Sequence, residues 1–269
     1  MNRWQATLIS QCERLPGISY YARSRGWPFI LSWVHRVTGI ILVLYLLVHV
    51  YTLSSLTEPS VFAAKMASFK NPFFSFLEWA IAIPLVFHAF NGARLILFEI
   101  FYVRDDSAMI RWVAALGAAF LLMLAYLMIA GDQQASGGGF WFSVLIITGI
   151  TGYVVYTKVN KTGNRTLWKL QRVSGALLLP MLSAHMLFMH MNYPAGHSAD
   201  VITIRMQNYF TKAIDITIVF LIVFHGAYGL CSIINDYVGK NFIRKLSVLV
   251  TLAAMVMCGW AAIRLVIAI

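Results

Sequence analysis

Apolar residues run along this chain in long blocks, broken by short segments rich in Arg, Lys, Asn and Pro. Blocks able to cross about 30 Å of hydrocarbon as a helix, which takes about 20 residues, fall at 28–57, 73–104, 109–131, 139–159, 172–193, 212–237 and 243–268. Stretches such as 34–56 and 214–222 show no alternation of apolar and polar positions. A barrel strand would need that alternation, so all seven blocks are predicted to be helices. Segment 131–139, with Asp132, two glutamines and three consecutive glycines, has the composition of an outer connection and is a candidate fusion seam.

Composition agrees with the pattern. Of 269 residues, 60% are hydrophobic and 12% charged, and the mean hydropathy is +0.74. So few charges cannot coat a soluble surface, and so apolar a chain is not disordered. The class is all-α, a polytopic transmembrane helical bundle of about seven spans.

The net charge of +11 comes from basic residues placed between apolar blocks, not from a stripe on one polar face. The partner is therefore the lipid bilayer, and no nucleic acid is expected. With the N-terminus in the cytoplasm, fifteen Lys and Arg fall on inner segments, among them Arg104, Lys158 and Lys240, while Lys65, Lys70, Arg205, Lys212 and Arg264 fall outside. That asymmetry sets the orientation. Residues 1–27 lack the apolar core and small-residue site of a signal peptide, so the first span is expected to be retained. Cys12, Cys231 and Cys258 form no CxxC or CxxCH and so encode no iron–sulfur site or covalent haem attachment.

The chain contains an internal repeat. His35-Arg36-Val37-Thr38-Gly39 followed by His49 matches Gln171-Arg172-Val173-Ser174-Gly175 followed by His185, with 13 residues from Arg to His in both. His88 and His225 follow after 39 and 40 residues, each opening His-x-x-x-Gly, with Glu99 and Asp236 each 11 residues further on. Each copy supplies three spans, and the unmatched fourth span returns the chain to the inner side, so the copies are parallel repeats. The organisation expected is an inner segment 1–27, a first three-span repeat 28–131, an outer loop with linking span and basic inner loop 132–171, and a second three-span repeat 172–269.

Imidazole within hydrocarbon is costly unless it is paired or ligating. One histidine could simply bond a neighbouring helix, but four at repeated depths point to ligation. Two histidines on facing helices hold a b-type haem, and Gly39, Gly92, Gly175, Gly226 and Gly229 leave room for a flat macrocycle. Zinc would require four ligands, often thiolate or carboxylate, and none cluster here. Four histidines imply two haem b groups. Arg36 and Arg172 start their spans about 20 Å of helical rise from His49 and His185. They are candidates for propionates or a polar headgroup, as is Arg94, the alternative being arginines that snorkel to the inner interface.

These residues resemble the membrane-anchor cytochrome b of the succinate dehydrogenase and fumarate reductase family, the succinate:quinone oxidoreductases. Ser32-x-x-x-Arg36 within Ser-Trp-Val-His-Arg-Val-Thr-Gly is similar to the signature of the larger anchor subunit, and His225-x-x-x-Gly229 followed by Asp236-Tyr237 to that of the smaller. The chain looks like both three-span subunits joined in one polypeptide by an added span.

The resemblance implies that His88 and His225 ligate the inner haem, and His49 and His185 a second haem nearer the outer face. It places a quinone among Ser32, Arg36, Asp236 and Tyr237, and haem propionates beside His35, Arg36, Arg94 and Arg172. FAD and iron–sulfur clusters would belong to partner flavoprotein and iron–sulfur subunits docked on the basic inner loops. Electrons from succinate would reach membrane quinone through this chain, in a bacterial cytoplasmic membrane, and succinate itself would never touch it. Two features depart from the family pattern: Gln171 replaces the first His of the motif, and Glu99 stands where aspartate is usual.

Two other readings fit parts of the pattern. One is a cytochrome b anchor of another quinone-linked dehydrogenase, which Asp236-Tyr237 argues against. The other is a haem-free repeat-built transporter with proton-relay histidines, weakened because only Pro84 and Pro180 interrupt spans. His190 and His197 are read as interfacial, with His190 a competitor for the outer haem. Trp27, Trp33, Tyr51, Trp79, Trp141 and Tyr193 are expected in the interfacial belt, and Met181, Met186, Met189 and Met191 in packing.

Overall fold

The structure, a computed structural model, describes residues 10, 14, 18–69, 71–130, 138–190 and 198–269. The connection at 131–137, Met191, Tyr193, His197 and the side chains of Met189 and His190 lie outside the described residues. Among the described residues there are ten α-helices and no strand. They are α1 (Ile18–Arg25), α2 (Trp27–Leu53), α3 (Pro59–Phe69), α4 (Pro72–Ile100), α5 (Asp106–Ala130), α6 (Gly138–Val159), α7 (Thr166–His190), α8 (Ala199–Met206), α9 (Tyr209–Tyr237) and α10 (Asn241–Ala268).

Six of them, α2, α4, α5, α6, α9 and α10, are long and apolar enough to cross a membrane. The remaining predicted span is α7, which at 25 residues has the length. It is less apolar because it carries Gln171, Arg172, Ser174, Ser183 and His185, and it packs against α4, α6 and α9. It also begins six residues before the predicted start, since Trp168 and Val173 pack against Val155, Val159 and Ala176 and extend the helix inward.

The centre of the molecule is a ring of four helices in which α2 meets α4, α4 meets α7, α7 meets α9 and α9 returns to α2. The third span of each copy leans on the second: α5 packs on α4, and α10 on α9. The linking helix α6 covers α7. Both second spans, α4 and α9, are 29 residues long, and each opens on an asparagine cap. Asn71 accepts from Phe74 N at 3.1 Å. Asn208 accepts from Phe210 N at 2.9 Å and Thr211 N at 3.4 Å. Such a cap satisfies amides that the first helical turn leaves without a carbonyl.

Besides the short α1 before the first span, two further helices were not expected. Within the connections between the first and second spans of the two copies, α3 and α8 pack on each other, burying Leu56, Phe62 and Met66 against Ala199, Ile202 and Leu265. They are too short to span, and they hold together through burial of these side chains. Trp141 is buried in the core with Met181, Ala184, Ile214 and Ile218, because the start of α6 is covered by α7 and α9. Met181 and Met186 fill packing space as expected.

Candidate functional site

The four-helix ring encloses one predominantly apolar cavity of about 1020 Å³. His35, His49, His88, His185 and His225 all line it, with Ser32, Arg36, Arg172 and Asp236 towards the end that the charge pattern predicts to be the inner one. The volume is at the upper end for small-molecule sites.

At the inner level His88 on α4 faces His225 on α9, with ring centroids 6.2 Å apart and planes at 83°. Two metal–imidazole bonds of about 2 Å plus two ring radii give a separation of roughly 6 Å, so the pair has the spacing of two ligands sharing one iron. Each ring is held by its Nδ1. His88 Nδ1 lies 3.1 Å from the His35 carbonyl and 3.4 Å from Thr38 Oγ1. His225 Nδ1 lies 3.3 Å from Ser174 Oγ. Partners on Nδ1 select the tautomer whose bare Nε2 can bind a metal.

Glycine makes this approach possible. A Cβ on Gly39 would sit 3.1 Å from His88 Cε1, and one on Gly175 would sit 3.1 Å from His225 Cε1. Gly92 lies against His35, and Gly229 against Gln171, in the same relation. The repeat read in sequence is therefore a repeat of contacts. His35 stacks on His88 with centroids 3.9 Å apart, while its Nδ1 is buried without a partner; so is Oε1 of Gln171, the residue at the matching position. Paired imidazoles, glycine cradles and two orphaned polar atoms suit a flat group with polar substituents, and haem b fits. Among the described residues no group of three or more His, Cys, Asp or Glu is arranged for a bare metal ion.

At the outer level His49 stacks on Tyr45 with centroids 5.4 Å apart. His185 Nδ1 lies 3.2 Å from Asp215 Oδ1. Asp215 and Glu78, both facing the cavity, were not singled out from the sequence.

At the inner mouth Arg36 reaches across the copies to α9, donating to Tyr237 Oη and pairing with Asp236 Oδ2 at 3.2 Å. The mirror pair is Arg172 on α7 with Glu99 on α4, at 2.8 Å from Nε and 2.6 Å from Nη2. The Arg172 guanidinium also covers the Trp168 ring at 4.8 Å. Ser32 lies one turn before Arg36 on the same helix, and Trp33 packs on Tyr237 at 5.4 Å. The structure thus brings Ser32, Arg36, Asp236 and Tyr237 to one place. Arg94 does not line the cavity: it is buried in an ion pair with Asp106 at the start of α5, and its Nε donates to Asn91 Oδ1 at 2.8 Å.

A family model described as succinate dehydrogenase/fumarate reductase transmembrane subunit matches residues 22–126 and 155–267. The succinate dehydrogenase 2 membrane subunit SdhC of Mycobacterium tuberculosis is 32% identical over 122 residues, 44% of this chain and 85% of that one. No solved structure matches the chain.

Proposed function

The chain belongs to the succinate dehydrogenase/fumarate reductase transmembrane-subunit family, and from that premise we propose that it is the di-haem, quinone-reactive anchor of such a complex. Haem b bound in the ring would supply a one-electron relay between a two-electron donor and a quinone. His88 and His225 would hold one haem and His49 and His185 another, with His35, Arg36 and Arg172 towards the propionate end. The single observation that carries this reading is the His88–His225 pair, 6.2 Å apart with each Nδ1 tied to protein. Arg94 is left out of the propionate set because, unlike Arg36 and Arg172, it does not line the cavity.

The quinone site follows from the chemistry of its donors. Arginine has only donors, so Tyr237 Oη accepts from Arg36 and keeps its own O–H for a quinone oxygen. Ser32 supplies a second hydroxyl, and Asp236, half-exposed at the mouth, can pass protons from the inner solution. The basic inner segments would dock the flavoprotein and iron–sulfur subunits, with the N-terminus cytoplasmic in a bacterial inner membrane. The two family-matched stretches, each covering one set of three spans, support two fused anchor subunits.

The test is a reduced-minus-oxidised spectrum with pyridine haemochrome quantification, on wild type, His225→Ala and His49→Ala. Two b haems per chain are expected in wild type and one in each variant. An undiminished haem content in His225→Ala would overturn the ligand assignment.

A further inference from the structure

The outer level holds two acids for which the reading above has no use. Asp215 lies within α9, its side chain only 12% exposed, with Oδ1 3.2 Å from His185 Nδ1. Glu78 lies on α4 and lines the same cavity as Tyr45, the ring that stacks on His49. Each acid stands ten residues before the inner histidine of its own copy, Glu78 before His88 and Asp215 before His225. They are one position of the repeat, occupied by a carboxylate twice. Ionisable side chains inside a membrane bundle are expensive and mark function, so Asp215, largely buried where Glu78 of the first copy is exposed, needs a reason.

The reason lies in the contrast between the two levels. The inner histidines rest on neutral acceptors, the His35 carbonyl and the hydroxyls of Thr38 and Ser174. His185 rests on a carboxylate. A carboxylate accepting from Nδ1–H fixes the tautomer, orients the ring and makes Nε2 a stronger donor to a metal. A stronger donor with a negative charge behind it favours the higher oxidation state of an iron it binds.

We infer that Asp215 is a positioning residue for the outer level: it sets His185 as a haem ligand and lowers the midpoint potential of the haem that His185 holds. Glu78 occupies the same repeat position in the first copy. The inference rests on the di-haem reading and adds to it a residue that acts through a ligand without touching the iron.

The test is an optical redox titration of the purified complex, with haem quantified per chain, on wild type, His185→Ala, Asp215→Asn and Asp215→Leu. Asp215→Asn is nearly isosteric and keeps an acceptor without the charge. It is expected to retain both haems and to raise the midpoint potential of one, the one lost in His185→Ala, while the other stays put and reports an intact fold. Asp215→Leu removes the acceptor and is expected to lose that same haem. Unchanged potentials in Asp215→Asn together with two haems in Asp215→Leu would overturn the role of Asp215. So would an equal shift of both potentials, which marks a general disturbance. A wild type with one haem, indifferent to His185→Ala, would overturn the di-haem reading itself and this inference with it.

Discussion

Single atoms carry much of the chemistry. Because the Tyr237 hydroxyl is turned by Arg36, removing it takes away a donor and leaves the helices in place. Tyr237→Phe is expected to slow succinate-driven quinone reduction on the order of 10²-fold, the scale of one positioned proton donor, with haem content unchanged. Parallel loss of haem in the reduced spectrum would mean the tyrosine is a structural strut. Glycine gives a second case. At Gly39 even a methyl meets His88 at 3.1 Å, so Gly39→Val is expected to abolish the haem proposed at His88 and His225, whereas Gly149→Ala on α6 meets nothing within 4 Å and should leave the spectrum untouched. The histidines were legible in sequence because imidazole stands out against apolar neighbours. Asp215 and Glu78 were not, because acids near the outer ends of spans look like ordinary interfacial charges. The signal was nonetheless there, in their equal distance from His88 and His225.

Helices were legible wherever length and apolarity together identify a span, so six of the seven predicted segments are also apolar enough in the structure, with ends shifted by a few residues. The helices α3 and α8 were not legible because what stabilises them is their contact with each other, and sequence periodicity carries no trace of a partner so far along the chain, as Phe62 is from Ile202. Arg94 shows the same limit. An arginine in a span looks like a ligand for an anion, and here the anion is Asp106, the first residue of the next helix. With side-chain exposures of 3% for Arg94 and 18% for Asp106, Asp106→Asn leaves a buried guanidinium uncompensated. It is expected to cost about 3–5 kcal/mol, read as a lower thermal-unfolding midpoint of the purified complex at undiminished haem per folded chain. A loss of haem at unchanged stability would put Arg94 back beside a propionate.

Across the whole molecule, the two copies are interlocked, not merely adjacent. Arg36 of the first pairs with Asp236 of the second, Arg172 of the second pairs with Glu99 of the first, and the inner histidines come one from each. Dividing the chain between Ala130 and Gly138 and co-expressing the pieces is therefore expected to restore a complex with both haems, while neither piece alone should show a b-type spectrum. Haem in a single piece would mean that its ligands lie within one copy. The repeat itself was visible as spacing in the sequence. The crossing of partners between copies was implied for the histidines and the quinone-site residues by the family resemblance alone, because equal spacing within two segments does not say which segment faces which; the Arg172–Glu99 pair was not expected.

His88 and His225 are separated by 137 positions of sequence, and only 44 residues follow His225. A group gripped by both cannot be captured while the chain is still being made. Its docking place does not exist until the sixth span has left the ribosome and entered the bilayer. On the proposed assignment, insertion of the haem held by His88 and His225 would be a late checkpoint in biogenesis, and chains stalled or truncated before residue 225 would lack that haem.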